Sequence, residues 1–510
     1  MSINLYSLEP MAWSQLHFGG ASFSHPARAR RLCTLSAAMA THPDHSIPQL
    51  AASPYAVKAS YTFLDHPETT PEIIQAPHQA LVQAELTRPG THLILHDATE
   101  FNWPDTIPRA GLGAMHKGYQ GFLVHSSLAV KWSWNHQTRR EPLTILGLMH
   151  QTFHARVPKP VDEANDASYQ RKFRARESDL WFDSLNALES NFLDKAARLG
   201  MNGTFRAIPR LGENGTYRAS PPSGPVRPLD GSEIIHVCDR GADIHRLMKK
   251  CQDLNHRFII RAAQNRNVVD EHEKSIGKSI SIARQQSSLG QFDLDLRARP
   301  GQKARIAALS VSTVRMTLKP QQVPKEQREA HRAIDCTMVR VWEAHPPAGL
   351  EGLEWLLLCD REVTSFEQAL ECACMYAARW LIEEFHKCLK TGLKAAELQL
   401  ETANRLFAAI AVKSIIAVRL LALKENFRID PQRSAISCGL DPLELEVLVA
   451  VSGKTLKTVR EVGLALGRLG GHMNRKADGM PGWMTLWRGM DRLQSLVEGV
   501  RLARLLPSFG

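Results

Sequence analysis

The chain has 510 residues, 44 % hydrophobic and 23 % charged, which is ordinary for a globular protein and long enough for about three domains. Its formal net charge of +11 favours a polyanionic partner, with nucleic acid ahead of a membrane surface. The nine cysteines are scattered and include no C-x2-C pair, which argues against a disulfide framework and a structural zinc site. The N-terminus has no basic region followed by an apolar run, which argues against a signal peptide. We therefore predict a cytoplasmic protein.

Residues 1–75 are predicted to form short helices. A basic cluster of Arg28, Arg30 and Arg31 precedes an alanine- and leucine-rich helix predicted from Leu32 to Ala40. Basic side chains at the start of a helix can reach phosphates, and the free backbone N–H groups there add to the attraction. A solvated charged face explains the same pattern, so the residues alone leave open whether the cluster binds DNA.

An apolar run from Thr91 to Asp97 ends in a carboxylate and predicts a buried strand with Asp97 at its C-terminal edge. An aspartate in such a place is often only a turn or capping residue. Further strands are predicted at 118–130 and 143–149, and a helix at 179–199. The proline- and glycine-rich stretch 206–231 predicts a surface excursion.

A second apolar strand runs from Ile234 to Asp239, with a helix predicted from about Ala242. Asp239 therefore ends its strand as Asp97 is predicted to do. Residues 256–360 contain several segments that alternate or run apolar with β-branched residues, which predict strands. Trp355 lies in the last of these segments, where a tryptophan is often simply buried.

One long helix is predicted between Ser365 and Gly392. Ser365 with Gln368 three residues later forms a capping box, and Gly392 stands where helices commonly end in a left-handed residue. The next helix, at about 398–424, contains the most apolar stretch of the chain. A lysine and an arginine interrupt that stretch, which argues for a buried helix and against a membrane span.

Four residues of the long helix, Tyr376, Arg379, Glu383 and Lys390, share an arc of roughly 60° at 100° per residue. A solvated face with ion pairs four residues apart, such as Glu383 with Lys387, is the ordinary explanation. The order Y-x2-R-x3-E-x6-K nevertheless resembles the YREK signature of bacterial cut-and-paste DDE transposases of the IS-four family, and of its Tn-five-like members in particular.

Other segments carry the same resemblance. FGGASFSHPARARRL and SYTFLDHPET are similar to the family's N-terminal DNA-binding domain, and the segment from Asp239 to Asp243 resembles its D-R-E-A-D motif, with Gly241 in place of Glu. The residues after 430, including GRLGGHMNRKADGMPGWMTLWRGMDRLQS, are similar to its helical dimerisation domain.

The resemblance implies a mixed α/β (α+β) chain with an RNase H-like catalytic core flanked by two helical domains. The implied boundaries are 1–75 for an N-terminal helical DNA-binding domain, 76–425 for the core, with a β-subdomain inserted at about 256–360, and 426–510 for a C-terminal helical dimerisation domain. The implied partners are double-stranded DNA, as transposon ends and target, and a second copy of the chain in a synaptic homodimer. The implied location is the nucleoid of a bacterial cytoplasm.

The resemblance also implies that Asp97, Asp239 and Glu383 are the catalytic residues and hold two Mg2+ ions, or Mn2+ in their place, with Asp97 bridging both. Two such ions about 3.5–4 Å apart activate the attacking and leaving oxygens of a phosphodiester, and hard cations prefer carboxylate ligands. His386 is interpreted as a DNA contact or an ordinary surface histidine. Trp355 is implied to stack a base flipped from the DNA end. The implied DNA-binding residues are Tyr376, Arg379, Lys390, Arg240, Trp355, Lys387, Arg28, Arg30 and Arg31.

The predicted function is therefore cut-and-paste transposition: nicking at the transposon end, hairpin formation, hairpin opening and transfer of the 3′-OH ends into target DNA. One alternative is an RNase H-like nuclease without strand transfer, which the long β insertion and Trp355 disfavour. The other is a non-catalytic, transposase-derived DNA-binding regulator, which the intact acids disfavour.

Overall fold

The computed structural model describes residues 9–134, 143–157, 177–189, 231–296, 303–319, 332–475 and 478–505. The predicted surface excursion, except for its last residue, lies outside the described residues. So does the second half of the helix predicted at 179–199.

Five helices form the N-terminal region of the described chain. Each of them has a proline at its first or second position, where the missing N–H group is not needed for an intrahelical hydrogen bond. The second helix begins at Pro26, with His25 as its N-cap. The basic cluster therefore lies inside the first two turns of this helix, whereas the sequence analysis had predicted it before the helix. The helices are α1 (Pro10–Phe18), α2 (Pro26–Thr41), α3 (Ile47–Leu50), α4 (Pro54–Leu64) and α5 (Pro71–Leu86).

A central sheet of twelve strands follows in the described part of the chain. The strands are β1 (Gly90–Pro104), β2 (Gly113–Ala114), β3 (Tyr119–Trp132), β4 (Thr144–His154), β5 (Ser232–Cys238), β6 (Arg257–Arg261), β7 (Asn267–Val269), β8 (Ser275–Lys278), β9 (Gly290–Leu296), β10 (Arg305–Leu318), β11 (Ile334–Glu343) and β12 (Glu354–Cys359). Their order is β2-β3-β1-β5-β6-β12-β11-β10-β7-β8, with β4 beside β3 and β9 beside β10.

The sheet is mixed. Strands β1, β5 and β6 are parallel neighbours, and the strands on either side of them are antiparallel. The strands from the stretch predicted as an inserted β-subdomain extend this same sheet and form no separate one, because β6 pairs with β5 and β12 pairs with β6.

Nine further helices cover the sheet and form the C-terminal region of the described chain. They are α6 (Leu180–Glu189), α7 (His245–Asp253), α8 (Ser279–Arg284), α9 (Phe366–Ala377), α10 (Trp380–Lys387), α11 (Ala403–Ile429), α12 (Pro442–Ser452), α13 (Val459–Leu469) and α14 (Trp483–Leu505). Helices α9 to α11 pack in the main core on one face of the sheet, and α6 to α8 pack in a second core on the other face. The prediction of a mixed α/β fold between two helical ends is confirmed.

The single long helix predicted from Ser365 is wrong in its second half. Its capping box is present, but the helix breaks after Ala377, resumes as α10 and ends in a π-helical turn at Cys388–Gly392. The left-handed residue is Lys394, with φ of 52°, and not Gly392. Glycine is required at position 392 for a different reason, since a Cβ there would lie 2.5 Å from the ring of Trp483.

Helix α11 is long and apolar enough to cross a membrane, yet 89 % of its most apolar stretch is buried within the protein. The prediction of a buried helix is confirmed. Its Lys413 reaches the carbonyl oxygens of Pro43 and Leu393 at 2.7 and 2.9 Å, and burial lowers the pKa of this lysine to about 8. These hydrogen bonds tie the N-terminal helices to the π-helical turn region.

The C-terminal helices α12 and α13 begin with capping boxes, Asp441 with Glu444 and Thr458 with Glu461. Helices α13 and α14 cross closely at Gly489, where the backbone of the facing helix leaves no room for a Cβ atom. This region forms its own apolar core.

A row of buried histidines crosses the sheet on the α6 side. His96 Nε2 lies 2.9 Å from His236 Nδ1, and His236 Nε2 lies 3.0 Å from His256 Nδ1. Ser127 Oγ lies 3.0 Å from the other ring nitrogen of His96, and His125 stacks on the His96 ring at 5.7 Å. A neutral imidazole donates one hydrogen bond and accepts one, so the row is satisfied only while its histidines are uncharged.

Burial keeps these histidines neutral. It lowers the pKa of His96 and His236 well below the ordinary value of 6.5, and the neighbouring histidines lower both further. Burial also lowers the pKa of His125 to about 4, against an opposing effect of Asp97. Below about pH 6.5 the unfolded chain therefore binds protons that the folded chain does not, and the free energy of unfolding falls as the pH falls.

We expect His125→Phe to flatten this pH dependence by about 1.4 kcal/mol per pH unit between about pH 6.5 and 4, because one proton fewer distinguishes the two states. Urea unfolding of both proteins at several pH values in that window measures the slope. His272→Gln is the control, since its side chain is 82 % exposed, and it should leave the slope as it is. An unchanged slope in His125→Phe would show that His125 ionises alike in both states.

Candidate active site

Asp97 and Asp239 lie at matching positions on two neighbouring parallel strands. The parallel pairing of β1 with β5 ends at Leu95 and Val237, and each aspartate follows two residues later. Since side chains alternate along a strand, both aspartates continue the sheet face that Leu95 and Val237 bury in the main core. The two carboxylates therefore emerge together where this pair of strands separates.

The prediction that the first strand ends at Asp97 is wrong. β1 continues to Pro104, and Asp97 lies opposite Ser126 in the antiparallel pairing with β3. The parallel ladder with β5 stops short of Asp97 while the antiparallel ladder continues past it. Asp239, in contrast, directly follows the last residue of β5, as predicted.

The chain after Asp239 holds that carboxylate by a short 3-10 turn at Arg240–Ala242. The Gly241 N–H donates a hydrogen bond of 2.8 Å to Asp239 Oδ1. A Cβ at Gly241 would lie 3.1 Å from the same oxygen and 3.3 Å from Trp181. This crowding gives a physical reason for glycine in place of the glutamate of the D-R-E-A-D pattern.

Asp243, directly after this turn, connects it to residues 263–266. Its Oδ1 lies 2.7 Å from Arg266 Nη2, and its Oδ2 accepts hydrogen bonds of 2.7 Å from the N–H groups of Ala263 and Gln264. Both side chains of the ion pair are buried, with 1 % of Asp243 and 6 % of Arg266 exposed. Sequence reasoning missed this residue, although its place at the end of the D-R-G-A-D segment was a signal for it.

Glu383 lies on α10, which packs against β1 and β3. Its Oε1 accepts a hydrogen bond from Nη2 of Arg379, one helical turn earlier, and Nη1 of the same guanidinium lies 3.7 Å from Asp97 Oδ1. Arg379 thus bridges Glu383 and Asp97. Burial alone lowers the pKa of Arg379, but the two carboxylates outweigh it and raise that pKa above its ordinary value.

His386 contacts the same acid. Its Nδ1 lies 3.5 Å from Asp97 Oδ2, and only 7 % of its side chain is exposed. The interpretation as a surface histidine is therefore wrong, because the turn of α10 after Glu383 carries it inward over β1. Arg379 and His386 hold the two oxygens of Asp97 from one face of α10.

The donor set of Asp97, Asp239 and Glu383 fits hard divalent cations, which prefer carboxylate oxygens. In the described part of the chain, no three carboxylate, histidine or cysteine side chains are gathered closely enough to hold a metal ion. The guanidinium of Arg379 instead supplies the positive charge between two of these acids. The three acids share one region of the sheet edge but do not form a closed cage around a common point.

The other residues of the Y-x2-R-x3-E-x6-K pattern contact different partners. Tyr376 is 7 % exposed and meets the half-buried Trp355 ring edge-on, with centroids 5.6 Å apart. Lys390 donates a hydrogen bond of 2.7 Å to Glu100 O, and burial lowers its pKa. Lys387 is exposed at the end of α10.

Arg240, which follows Asp239 in the chain, is exposed and lines a cavity of about 310 Å³. Arg261 and Arg284 line the same cavity, and Glu354 pairs with Arg284 at its wall. The cavity therefore gives the site a basic flank on the α8 side of the sheet.

The three N-terminal arginines differ in their surroundings. Arg28 is engaged within the protein, with its Nη1 3.0 Å from Glu68 Oε2 and 2.7 Å from Ser24 Oγ. Arg30 is exposed and Arg31 is half-buried. Arg28 thus connects α2 to the turn after α4, and Arg30 presents its charge to solvent.

Two family models match the chain. One, described as transposase DNA-binding, matches residues 10–69, and the other, described as the transposase Tn5 dimerisation domain, matches residues 449–510. The first spans α1 to α4, and the second spans α13 and α14. Both lie outside the stretch that carries the three acids.

The helical ends around a mixed sheet, together with these matches, define the chain as a transposase with a DNA partner and a dimerisation region. The two matches support a Tn5-like transposase. The resemblance of the two ends of the chain to a transposase DNA-binding domain and a dimerisation domain is confirmed.

Proposed function

We propose that this transposase is a DDE enzyme of the IS-four family, with an RNase H-like core, that cuts transposon ends and transfers their 3′-OH groups into target DNA. Asp97, Asp239 and Glu383 are the proposed catalytic residues and ligands of two Mg2+ ions, with Mn2+ as a substitute. The observation that carries the proposal is the placement of Asp97 and Asp239 at matching positions beyond one pair of parallel strands, with Glu383 joined to Asp97 through Arg379.

Divalent ions bound to such carboxylates polarise the attacking and leaving oxygens of the scissile phosphate. The protein's own contribution is to fix the acids on rigid elements. β1 is held on both sides by β3 and β5, and Asp239 is held by the Gly241 N–H group. Glu383 is carried on a helix whose packing against β1 sets its distance from Asp97. Preorganisation of this kind lowers the cost of charge reorganisation during the reaction.

Around the acids, positive and aromatic side chains offer contacts for DNA. Arg379 can bind a phosphate through two parallel hydrogen bonds, and Lys390 and Lys387 as point charges. The Trp355 ring, braced by Tyr376, is a stacking surface for a flipped base, and such stacking contributes about 1–3 kcal/mol per base. Arg240 meets phosphate from the basic cavity.

The two ends of the chain supply recognition and pairing. Arg30 and Arg31 on α2 contact the transposon end, while Arg28 orients α2 through Glu68. The C-terminal helices join two copies into the synaptic homodimer, so that two transposon ends are held together. The enzyme acts on DNA of the nucleoid in the bacterial cytoplasm.

The function is tested with the full chain and duplex DNA carrying the element's terminal inverted repeat. With Mg2+ or Mn2+ we expect nicked and hairpin products, and with precut ends we expect joining to a target plasmid. Nicking without joining would support the nuclease alternative and overturn the transfer step. Tight DNA binding without any breakage would support the regulator alternative and overturn the catalytic assignment. DNA lacking the repeat is the control.

A further inference from the structure

Arg379 occupies the space between two acids of the proposed metal site. One nitrogen of its guanidinium bonds Glu383 Oε1, and another lies 3.7 Å from Asp97 Oδ1. Only 14 % of its side chain is exposed, so water screens these contacts weakly. The positive charge of Arg379 thus already interacts with one oxygen of Asp97 and one of Glu383, which a divalent ion would need as ligands.

We infer that Arg379 is an internal counter-ion of the metal-free enzyme, which a DNA phosphate draws away so that divalent ions can bind Asp97 and Glu383. This inference rests on the proposed function, because it takes the acids as metal ligands. The two binding events are coupled, so that DNA strengthens the binding of metal ions and metal ions strengthen the binding of DNA.

The coupling follows from competition for the same oxygens. A divalent ion bound to Asp97 and Glu383 would lie against the Arg379 guanidinium, and like charges in contact repel strongly where water is excluded. A phosphate accepts the same pair of parallel hydrogen bonds that a carboxylate accepts. Arg379 can therefore replace its hydrogen bonds to the acids with hydrogen bonds to a phosphate. By thermodynamic linkage, DNA then increases the affinity for metal ions by the same factor by which metal ions increase the affinity for DNA.

The neighbouring residues make this exchange specific to Arg379. Lys390 donates to the carbonyl oxygen of Glu100 and to Thr99, and so does not occupy the acids. His386 contacts the second oxygen of Asp97, and this contact does not involve Arg379. Asp97 thus keeps one contact that orients it after the exchange.

The inference is tested by titrating Mn2+ into the DNA-free protein and following free Mn2+ by electron paramagnetic resonance, with calorimetry alongside. We expect Arg379→Gln to bind Mn2+ at least about tenfold more tightly than the wild type. Adding duplex DNA with the terminal repeat should tighten Mn2+ binding about tenfold in the wild type and much less in Arg379→Gln. The unfolding temperature of the DNA-free variant should rise more with Mn2+, because a ligand that binds only the folded state stabilises it.

Three further variants make the test specific. Lys390→Gln removes a nearby positive charge that does not contact the acids, and it should leave DNA-free Mn2+ affinity close to the wild-type value. Arg379→Lys keeps the charge but cannot bridge both acids, so its affinity should lie between those of the wild type and Arg379→Gln. It also serves if Arg379→Gln unfolds. Glu383→Gln in the Arg379→Gln background should lose the gain in Mn2+ affinity.

Equal Mn2+ affinity of wild type, Arg379→Lys and Arg379→Gln without DNA would overturn the inference. So would an equal gain in Lys390→Gln, since that result would reflect general charge and not displacement. If the wild type cleaves end-bearing DNA with Mn2+ and these affinities are equal, the coupling fails and the proposed function stands. If no protein binds Mn2+ or cleaves, the proposed function fails.

Discussion

Replacing Glu383 with glutamine is expected to lower Mg2+- or Mn2+-dependent nicking of end-bearing DNA by about 10³-fold or more. The amide keeps the shape of the side chain and an oxygen that can accept the hydrogen bond from Arg379, but it removes the negative charge that a divalent ion needs. Single-turnover nicking of a labelled transposon end measures the loss. Asp97→Asn and Asp239→Asn should each show a loss of the same order, because all three acids act on the same ions.

The control for Glu383→Gln is Glu401→Gln, which removes a carboxylate that is 83 % exposed and pairs with Arg405. It should nick at the wild-type rate. All of these variants should still shift end-bearing DNA in a gel, because the region matched as DNA-binding, residues 10–69, contains none of the three acids. Nicking that persists in any one of the three acid variants would end the catalytic assignment.

The parts of this fold that depend on local patterns were predictable from the sequence. The strand before Asp239 follows from its apolar run, and the capping box at Ser365 follows from two residues three apart. The buried helix α11 follows from an apolar stretch too long for anything but a core or a membrane. In each case neighbours within a few residues determine the outcome.

The parts that depend on tertiary contacts were not predictable. β1 continues past Asp97 because β3 offers it an antiparallel partner, which no feature of β1 itself reveals. The helix after Ser365 breaks and ends in a π-helical turn, so that Gly392 can lie against Trp483, about ninety residues further along the chain. His386 is buried because α10 packs on β1, although its residue type and its place on an amphipathic helix suited the surface equally well.

The candidate site has features that were predictable from the sequence and features that depend on tertiary contacts. The YREK pattern pointed to residues that lie around Asp97, and the structure shows which contact each of them makes. Arg379 reaches two acids, while Lys390 is directed to the backbone of β1 at Glu100. A spacing in the sequence can therefore identify a set of residues, while their individual contacts depend on the tertiary structure.

The largest effect on stability is expected from Asp243→Ala, at about 3–5 kcal/mol. The substitution leaves the guanidinium of Arg266, of which 6 % is exposed, without its carboxylate partner, and it also removes the acceptor for two backbone N–H groups. Urea unfolding followed by circular dichroism measures the loss as a lower midpoint. The matched control is Asp253→Ala, which breaks the pair of the half-buried Lys249 with the exposed Asp253 and should cost less than about 1 kcal/mol.

A second variant separates the orphaned charge from the lost backbone contacts. Asp243→Ala combined with Arg266→Met removes both charges, so it should regain part of the stability that Asp243→Ala alone loses. We expect Asp243→Ala also to nick more slowly than the wild type, and the double variant should not regain nicking. The Ala263 and Gln264 N–H groups still lack their acceptor, so the turn that holds Asp239 stays loose. Recovery of both stability and nicking would mean that charge burial alone matters, and that Asp243 does not position Asp239. A loss in Asp243→Ala no larger than that in Asp253→Ala would show that the buried pair contributes little to the fold.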